Sequence, residues 1–148
     1  YASNASSELV AMFSRSGLPV VGACSVGRDE ISNYGVVEIS DEKVKSIVEK
    51  PDIESAPSEY VLCGRYIFPG NTEEILKMYP LSEFGELQSI EVLNHLIKNG
   101  GLHAVKLDRF SMYDSGNPLS WLKSQIDHAL RREDLADALK TWMEERMG

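Results

Sequence analysis

An acid and a base stand side by side at the end of an apolar segment, in Val48-Glu49-Lys50-Pro51. A glutamate can accept two hydrogen bonds from neighbouring hydroxyl groups, and a lysine presents a compact positive charge that suits a phosphate. The two side chains would point to opposite faces if the strand continued through them, although Pro51 permits a twist there. Adjacent charges at a strand end are more often ordinary surface residues. From the residues alone, both interpretations stay open.

Gly35 and Asp114 are two further residues whose types suggest a site. Gly35 would let a ligand approach the backbone where a Cβ atom would intrude, but a lone strand glycine more often marks a bulge or a tight strand entry. Asp114 comes just before a helix start, where its carboxylate could hold Mg²⁺ by one or two oxygens while water and phosphate complete the shell. An ordinary turn or capping aspartate occupies the same kind of position.

Arg65 lies inside an apolar strand segment, where its charge costs free energy unless a carboxylate pairs with it. A structural carboxylate such as Glu86 could satisfy it, and Glu86 itself is either an acid at the N-terminus of a helix or an active-site carboxylate. The three histidines show no metal-binding spacing, so we interpret them as structural or surface residues: His95, His103 and His128.

Strand and helix patterns alternate along the chain, which predicts an α/β fold with a mixed β-sheet flanked by helices. Apolar or alternating segments predict strands at 18–26, 34–39, 43–48, 60–68, 102–107 and 110–113. The polar residues 40–42 predict a hairpin between two of these strands. Capping residues and helical spacing predict helices that begin near Ser6 or Ser7, Thr72, Glu86, Asn117 and Asp134.

Apolar stripes indicate which helix faces should be buried. In the first helix, Leu9, Met12 and Phe13 share one face, and Gly17 ends the helix. The helix that Asn117 caps carries a longer stripe, formed by Leu119, Leu122, Ile126, Ala129 and Leu130. The last helix aligns Leu135, Leu139, Trp142 and Met143. We expect these stripes to lie in the core.

The composition is that of a globular chain of 148 residues, 43% apolar and 26% charged, with a net charge of −8. We predict a single domain at 6–148, because this length is that of one ordinary domain. Residues 1–5 are interpreted as the remnant of a purification tag, since the chain does not open with Met and carries Ser3-Asn4-Ala5. An acidic chain lacks the basic face that nucleic acid needs, which argues against such a partner.

Cys24 and Cys63 both lie in apolar strand segments and are predicted to be buried free thiols. No apolar run approaches the ~18 residues that span a bilayer, and no secretory leader opens the chain. We therefore expect a cytoplasmic protein that does not associate with membranes.

Four short motifs occur in the order seen in bacterial UTP–glucose-1-phosphate uridylyltransferases, and together they resemble that family. They are Tyr34-Gly35-Val36-Val37, Val48-Glu49-Lys50-Pro51, Cys63-Gly64-Arg65-Tyr66 and Asp114-Ser115-Gly116-Asn117. Residues 85–88, Gly-Glu-Leu-Gln, are similar to that family's Gly-(Asp/Glu)-Ile-Gln segment. The resemblance implies the C-terminal, sugar-phosphate-binding half of a Rossmann-like nucleotidyltransferase domain.

The resemblance also implies roles for individual residues. Glu49 would bind the glucose hydroxyls and Lys50 the sugar phosphate, with Gly35 lining the substrate site. Lys50 and Asp114 would be catalytic, and Asp114 would hold Mg²⁺ as the second metal-binding acid of the family. The substrates would be glucose 1-phosphate and UTP, and the enzyme would be a homo-oligomer.

Parts of the family's pattern are missing. The glycine-rich loop that grips the nucleotide and the first Mg²⁺-binding Asp have no counterpart in the chain, so we expect it to be inactive by itself. Ser89-Ile90-Glu91 stand where the family often has Leu-Thr-Asp, and Pro118 stands where it commonly has Lys. Two alternatives remain: a related sugar-1-phosphate nucleotidyltransferase with another nucleotide or sugar, and a non-catalytic sugar-binding or subunit-association module that uses the final helices as its interface.

Overall fold

The computed structural model describes residues 4–79 and 89–148. The chain divides into two compact units, Tyr1–Phe110 and Ser111–Gly148. The predicted single domain and the predicted tag remnant at residues 1–5 both stay predictions. Within the described residues, none of the helices combines the length and the apolar character that a membrane span requires.

The first unit is built on a mixed sheet with the strand order β1–β4–β2–β3–β5, in which β5 also pairs with β1 and closes the order. β1 and β5 are parallel, and the other neighbours are antiparallel. The strands are β1 (Val20–Ser25), β2 (Gly35–Ser40), β3 (Lys43–Glu49), β4 (Tyr60–Ile67) and β5 (His103–Lys106). These five strands lie where the sequence predicted them, and the predicted mixed sheet flanked by helices is confirmed.

β2 and β3 form the predicted hairpin. Asp41 and Glu42 make its turn with φ values of 51° and 62°, as in the type I′ turns that match the twist of paired strands. The register sets Gly35 at the start of β2 opposite Glu49 at the end of β3. The hairpin therefore brings two of the predicted site residues side by side.

β4 departs from regular pairing with β1 around Gly64. Residues 63–65 of β4 all lie opposite Gly22, and Gly64 has a φ of +69°, which favours glycine. A Cβ atom on Gly22 would lie 2.9 Å from a Leu107 methyl carbon and 3.0 Å from the Cys63 sulfur, so the glycine leaves room for the side chains packed at the bulge. The Cys-Gly-Arg-Tyr motif thus has a structural task, because it shifts the register of β4.

The helices of the first unit are α1 (Ala5–Ser16), α2 (Thr72–Leu76) and α3 (Ser89–Asn99), with a 3₁₀ turn at Ile31–Asn33. α1 packs on β1 and α3 packs on β3. The buried core comprises Val21, Val37, Val44, Ile47, Ile75, Val92, Leu93, Leu96, Leu102 and Ala104. The predicted start of α3 at Glu86 lies outside the described residues. The helix predicted from Thr72 was expected to reach about Tyr79, but α2 ends at Leu76, because the N–H groups of Met78 and Tyr79 donate to the third residue back in tighter turns.

α1 begins one residue before the predicted caps. Asn4 is its N-cap, since its side chain accepts a hydrogen bond from the Ser7 N–H at 2.8 Å. The Ser7 hydroxyl in turn accepts from the Asn4 N–H, which completes a capping box. Gly17 ends the helix in a left-handed conformation, as predicted. Leu9 and Met12 are buried, but Phe13 is 39% exposed and lies at the edge of the predicted face.

The two thiols lie on the adjacent strands β1 and β4, and both are free. Cys24 is buried as predicted, whereas Cys63 is only partly buried. Burial raises the pKa of the Cys24 thiol to about 12, and the neighbouring Cys63 and Asp108 add to the effect. Cys24 therefore behaves as a protonated, apolar core residue.

The second unit consists of α4 (Pro118–Leu130) and α5 (Ala136–Met147), which pack on each other. Asn117 caps α4 as predicted, accepting a hydrogen bond from the Ser120 N–H at 3.0 Å, and Pro118 occupies the first turn. The predicted strand at 110–113 is wrong. The Phe110 N–H closes a turn onto the Leu107 carbonyl, and residues 111–113 pair with no strand among those described.

The prediction that α4 buries an apolar stripe is also wrong for this chain. No residue of α4 is buried, and Leu119, Leu122 and Ile126 are 60%, 50% and 38% exposed. α5 buries no residue either, and Trp142 is 51% exposed. The helical period was correct, but periodicity identifies an apolar face without showing what covers it.

Candidate functional site

The end of β3 places a carboxylate directly over a glycine. An ideal Cβ atom on Gly35 would lie 2.9 Å from the Glu49 Oε2 atom and 3.3 Å from a methyl carbon of Leu62. Gly35 is buried, whereas Glu49 is exposed. The absent side chain of Gly35 is thus what makes room for the Glu49 carboxylate, and the predicted close approach to this glycine is made by the protein's own side chain.

Lys50 follows in an unusual backbone conformation. Its φ is +44°, in the left-handed region that costs a non-glycine residue about 1–2 kcal/mol. The Lys50 N–H donates to the Tyr34 carbonyl at 3.0 Å, and the next residue, Pro51, is buried. The strand alternation therefore stops at Glu49, and the expectation of opposite faces does not apply to this pair. A strained residue fixed by its neighbours is a common feature of functional sites.

Glu49 and Lys50 do not form an ion pair with each other. Among the described residues, no carboxylate lies within 4 Å of the Lys50 ammonium group, and no cation within 4 Å of the Glu49 carboxylate. Both side chains are exposed. Exposure without an ion-pair partner in the described parts of the chain fits both a ligand site and the alternative of ordinary surface residues.

Tyr66 on β4 is a candidate site residue that sequence reasoning left without a role. Burial raises the pKa of its phenol, the charges of Cys63 and Glu49 raise it further, and a hydrogen bond with Ser89 opposes them. Its ring stacks on Phe68 with centroids 5.2 Å apart. Tyr66 is thus a fixed, neutral hydroxyl in the electrostatic neighbourhood of Glu49. The available signal was its place in the Cys-Gly-Arg-Tyr motif, directly after the bulge.

Asp114 belongs to the second unit and has the geometry of an Asx turn. Its Oδ1 atom accepts a hydrogen bond from the Gly116 N–H at 2.8 Å, and its own N–H donates to the Ser120 hydroxyl at 3.2 Å. The Asp114 carbonyl accepts from the Asn117 N–H, which leads into α4. These contacts match the turn interpretation, and they hold the carboxylate in a defined position with Oδ2 outside these bonds.

A divalent cation fits the donor chemistry of Asp114. Asp114 is half-buried, its carboxylate is oriented by the Gly116 N–H, and Mg²⁺ often takes only one or two protein carboxylates with phosphate and water as its other ligands. No group of three or more His, Cys, Asp or Glu residues suited to a metal occurs in the described parts of the chain. Asp114 can therefore supply one ligand of a site that a substrate completes.

Arg65 is exposed rather than buried, so its charge has no desolvation cost to offset. The expected partner Glu86 lies outside the described residues, as does the rest of the 85–88 segment. The structure accordingly brings Gly35, Glu49 and Lys50 together in the first unit and positions Asp114 in the second.

Comparison with known sequence families assigns the chain to a class. The sequence family described as "Nucleotidyl transferase" matches residues 3–130, and the chain belongs to this family.

Two curated relatives of the chain are named as uridylyltransferases. The UTP–glucose-1-phosphate uridylyltransferase YngB of Bacillus subtilis is 29% identical over 142 residues, which are 92% of this chain and 47% of that protein. The UTP–glucose-1-phosphate uridylyltransferase of Haemophilus influenzae is 25% identical over 91% of this chain and 48% of its own length. The resemblance to uridylyltransferases that the motifs indicated is thereby confirmed.

A solved structure agrees on the fold. The UDP-glucose pyrophosphorylase from Acinetobacter baumannii superposes with a TM-score of 0.79 over 94% of this chain and 49% of that one, at 23% identity. The chain spans about half the length of the curated relatives that it matches. That share agrees with the prediction of the C-terminal half of a nucleotidyltransferase domain.

Proposed function

We propose that the chain is the sugar-phosphate-binding half of a UTP–glucose-1-phosphate uridylyltransferase. The observation that carries the proposal is the end of β3, where an exposed carboxylate packed on Gly35 adjoins an exposed lysine whose backbone is held in a strained conformation. The names of the relatives supply the substrates, glucose 1-phosphate and UTP.

Each residue of the proposed site has a task that fits its chemistry. The Glu49 carboxylate accepts hydrogen bonds from two glucose hydroxyls, and Gly35 leaves the space in which this carboxylate sits. The Lys50 ammonium group binds the phosphate of glucose 1-phosphate as a compact charge. In the described parts of the chain, neither side chain has an ion-pair partner that a ligand would have to displace.

The reaction of the whole enzyme is the transfer of a uridylyl group. A phosphate oxygen of glucose 1-phosphate attacks the α-phosphorus of UTP, a new P–O bond forms, the bond to the bridging oxygen of the β-phosphate breaks, and pyrophosphate leaves. Positioning and charge neutralisation supply most of the catalysis in such transfers. Lys50 contributes to both, because it orients the attacking phosphate and reduces the repulsion between it and the nucleotide.

Asp114 is proposed as a ligand of Mg²⁺, bound through the carboxylate that the Gly116 N–H holds in place. A bound Mg²⁺ would neutralise phosphate charge during the transfer. The remaining protein ligand and the nucleotide-binding loop would come from the half that the chain does not contain. We therefore expect no UDP-glucose synthesis by this chain alone.

The partners and the cellular compartment of the enzyme are proposed from its charge and composition. A net charge of −8 disfavours nucleic acid as a partner, and two free thiols suit the cytoplasm. We also propose a homo-oligomer, because α4 and α5 expose large apolar side chains of the kind that subunit interfaces bury.

The proposal is tested by following backbone amide shifts while the chain is titrated with glucose 1-phosphate. Galactose 1-phosphate, N-acetylglucosamine 1-phosphate and UTP serve as parallel titrations. We expect saturable shifts at Gly35, Glu49 and Lys50 with glucose 1-phosphate and none with UTP. A stronger response to another sugar phosphate would favour the related nucleotidyltransferase, and no response to any of them would remove the ligand role of this site.

A further inference from the structure

The opposite end of β3 borders a cavity that the proposed reaction does not use. It has a volume of about 350 Å³ and lies between the start of β3, the start of β5 and the end of α3. Its apolar lining includes Leu18, Val44, Ile97 and Leu102, and its polar lining consists of basic residue types: Lys43, Lys45 and His103. The volume is within the range of small-molecule sites.

The three polar residues share one side of the sheet. Lys43 pairs with His103 across the β3–β5 contact, and the flanking backbone hydrogen bonds make this a non-hydrogen-bonded pair, in which facing side chains are closest. Lys45 is two residues along β3 and so projects to the same face as Lys43. A lysine directly opposite a histidine is a repulsive pair whenever the imidazole is protonated.

No carboxylate neutralises this cluster among the residues that the structure describes. The adjacent Glu42 is bound to Arg15 at 2.9 Å, and neither Lys43 nor Lys45 has an acidic group within 4 Å. The lysines also stand beside the C-terminal end of α3, whose carbonyls carry partial negative charge. The backbone there would repel an anion, so any anion in the cavity would depend on the lysine side chains.

His103 is the third polar residue of the cavity lining. Its Nδ1 atom is buried and, within the described structure, has no hydrogen-bond partner. Such an atom costs free energy unless a ligand or water satisfies it. Either charge state of imidazole can present an N–H donor to an anion. Among the described residues, the cavity lining thus combines two lysines that have no acidic partner with an imidazole nitrogen that has no hydrogen-bond partner, a donor set that suits an anion.

From these contacts we infer a second binding site, for a small organic anion: a phosphate or carboxylate group held by Lys43, Lys45 and His103, with its apolar body on Leu18 and Ile97. The site is independent of the proposed sugar-phosphate site, which lies at the other end of β3. Its existence does not require that the chain be a uridylyltransferase.

Phenyl phosphate and benzoate are the probes, compared with inorganic phosphate and with uncharged benzyl alcohol. Amide shifts are followed at Lys43, Gly101 and His103. We expect saturation with phenyl phosphate, benzoate or both at millimolar concentration, and weaker binding of inorganic phosphate and benzyl alcohol. The stronger of the two aromatic anions identifies the anionic group. An equal response to benzyl alcohol, or no saturation with either anion, overturns the inference.

Variants show whether the named residues carry the binding. Lys43→Gln, Lys45→Gln and His103→Gln should each weaken it about tenfold, the usual effect of losing a charge-assisted hydrogen bond. Lys123→Gln and His128→Gln on exposed surface of the second unit are the matched controls and should leave it unchanged. Denaturant midpoints establish that each variant is folded. Equal affinity in the folded cavity variants and the controls would refute the site.

Discussion

At the scale of single residues, Gly35 derives its importance from Glu49. A Cβ atom at Gly35 would meet the end of a flexible side chain at 2.9 Å, so the carboxylate can move aside at little cost in stability. What such a substitution would remove is the position of that carboxylate. Gly35 therefore determines where the Glu49 carboxylate lies. Replacing it should affect ligand binding more than the stability of the fold.

Gly35→Ala should lower the free energy of unfolding by less than about 1 kcal/mol, because only the Leu62 methyl contact at 3.3 Å is firm. We expect it to abolish the shifts that glucose 1-phosphate causes at Glu49. Chemical denaturation and the titration measure the two quantities. Gly70→Ala is the control, since a Cβ atom there meets nothing within 4 Å. Retained sugar binding in Gly35→Ala would show that the glycine does not position Glu49.

Lys50 combines a backbone constraint with a charge, and two substitutions separate them. Lys50→Gly relieves the strain of the positive φ, whereas Lys50→Ala keeps it. The free energy of unfolding of Lys50→Gly should therefore be about 1 kcal/mol higher than that of Lys50→Ala. Both should lose phosphate binding equally, since both lack the ammonium group. Urea unfolding and ligand titration test this. If Lys50→Ala were the more stable of the two, the left-handed conformation would not be a source of strain.

At the scale of secondary-structure elements, β1 and β4 carry a pH dependence through Cys24. The folded state holds the pKa of this thiol at about 12, above the value near 8.5 in an unfolded chain. Between these values the unfolded chain releases a proton that the folded chain keeps, so stability falls as pH rises, by at most about 1.4 kcal/mol per pH unit.

The measurement is the urea midpoint, under reducing conditions, at several pH values from 8 upward. Cys24→Ala removes the group and should flatten the decline, while other groups that titrate in this range remain in both proteins. The difference between the two slopes isolates the contribution of Cys24. Parallel slopes would mean that Cys24 titrates as freely in the folded chain as in the unfolded one.

The elements also show what the sequence could predict. Val-rich and alternating segments, together with the Asp41-Glu42 turn, were sufficient for the five strands, because period and turn chemistry are local. The segment 110–113 has the same apolar character but ends in a turn, and no local signal showed the missing partner strand. The N-cap at Asn4 was missed because that residue had been assigned to a tag.

For the candidate site, the sequence singled out Glu49 and Lys50 as candidates but did not predict how they are arranged in space. The cross-strand register that sets Gly35 against Glu49, the positive φ of Lys50 and the place of Tyr66 all depend on tertiary pairing. Local propensity cannot show them. The role of Asp114 in binding a metal stays a prediction.

At the scale of the whole molecule, the exposed stripe of α4 predicts self-association. Leu119, Leu122 and Ile126 lie on one face and are all exposed, whereas a monomer seldom exposes such a stripe. Sedimentation should show a dimer or larger species at micromolar concentration. Leu122→Glu should dissociate it and Lys123→Glu should not. A monomeric wild type, or an oligomer unaffected by Leu122→Glu, would contradict a subunit contact through α4.

The central claim is that Glu49 and Lys50 together hold a sugar phosphate at the end of β3. The most direct test is the affinity of glucose 1-phosphate for the wild type, Glu49→Gln and Lys50→Gln, with glucose and inorganic phosphate as partial ligands. We predict that Glu49→Gln weakens glucose but not phosphate, that Lys50→Gln weakens phosphate but not glucose, and that each weakens glucose 1-phosphate about tenfold. Unchanged affinity in both variants, matching Glu91→Gln and Lys98→Gln as controls, would show that the sugar phosphate binds elsewhere or not at all.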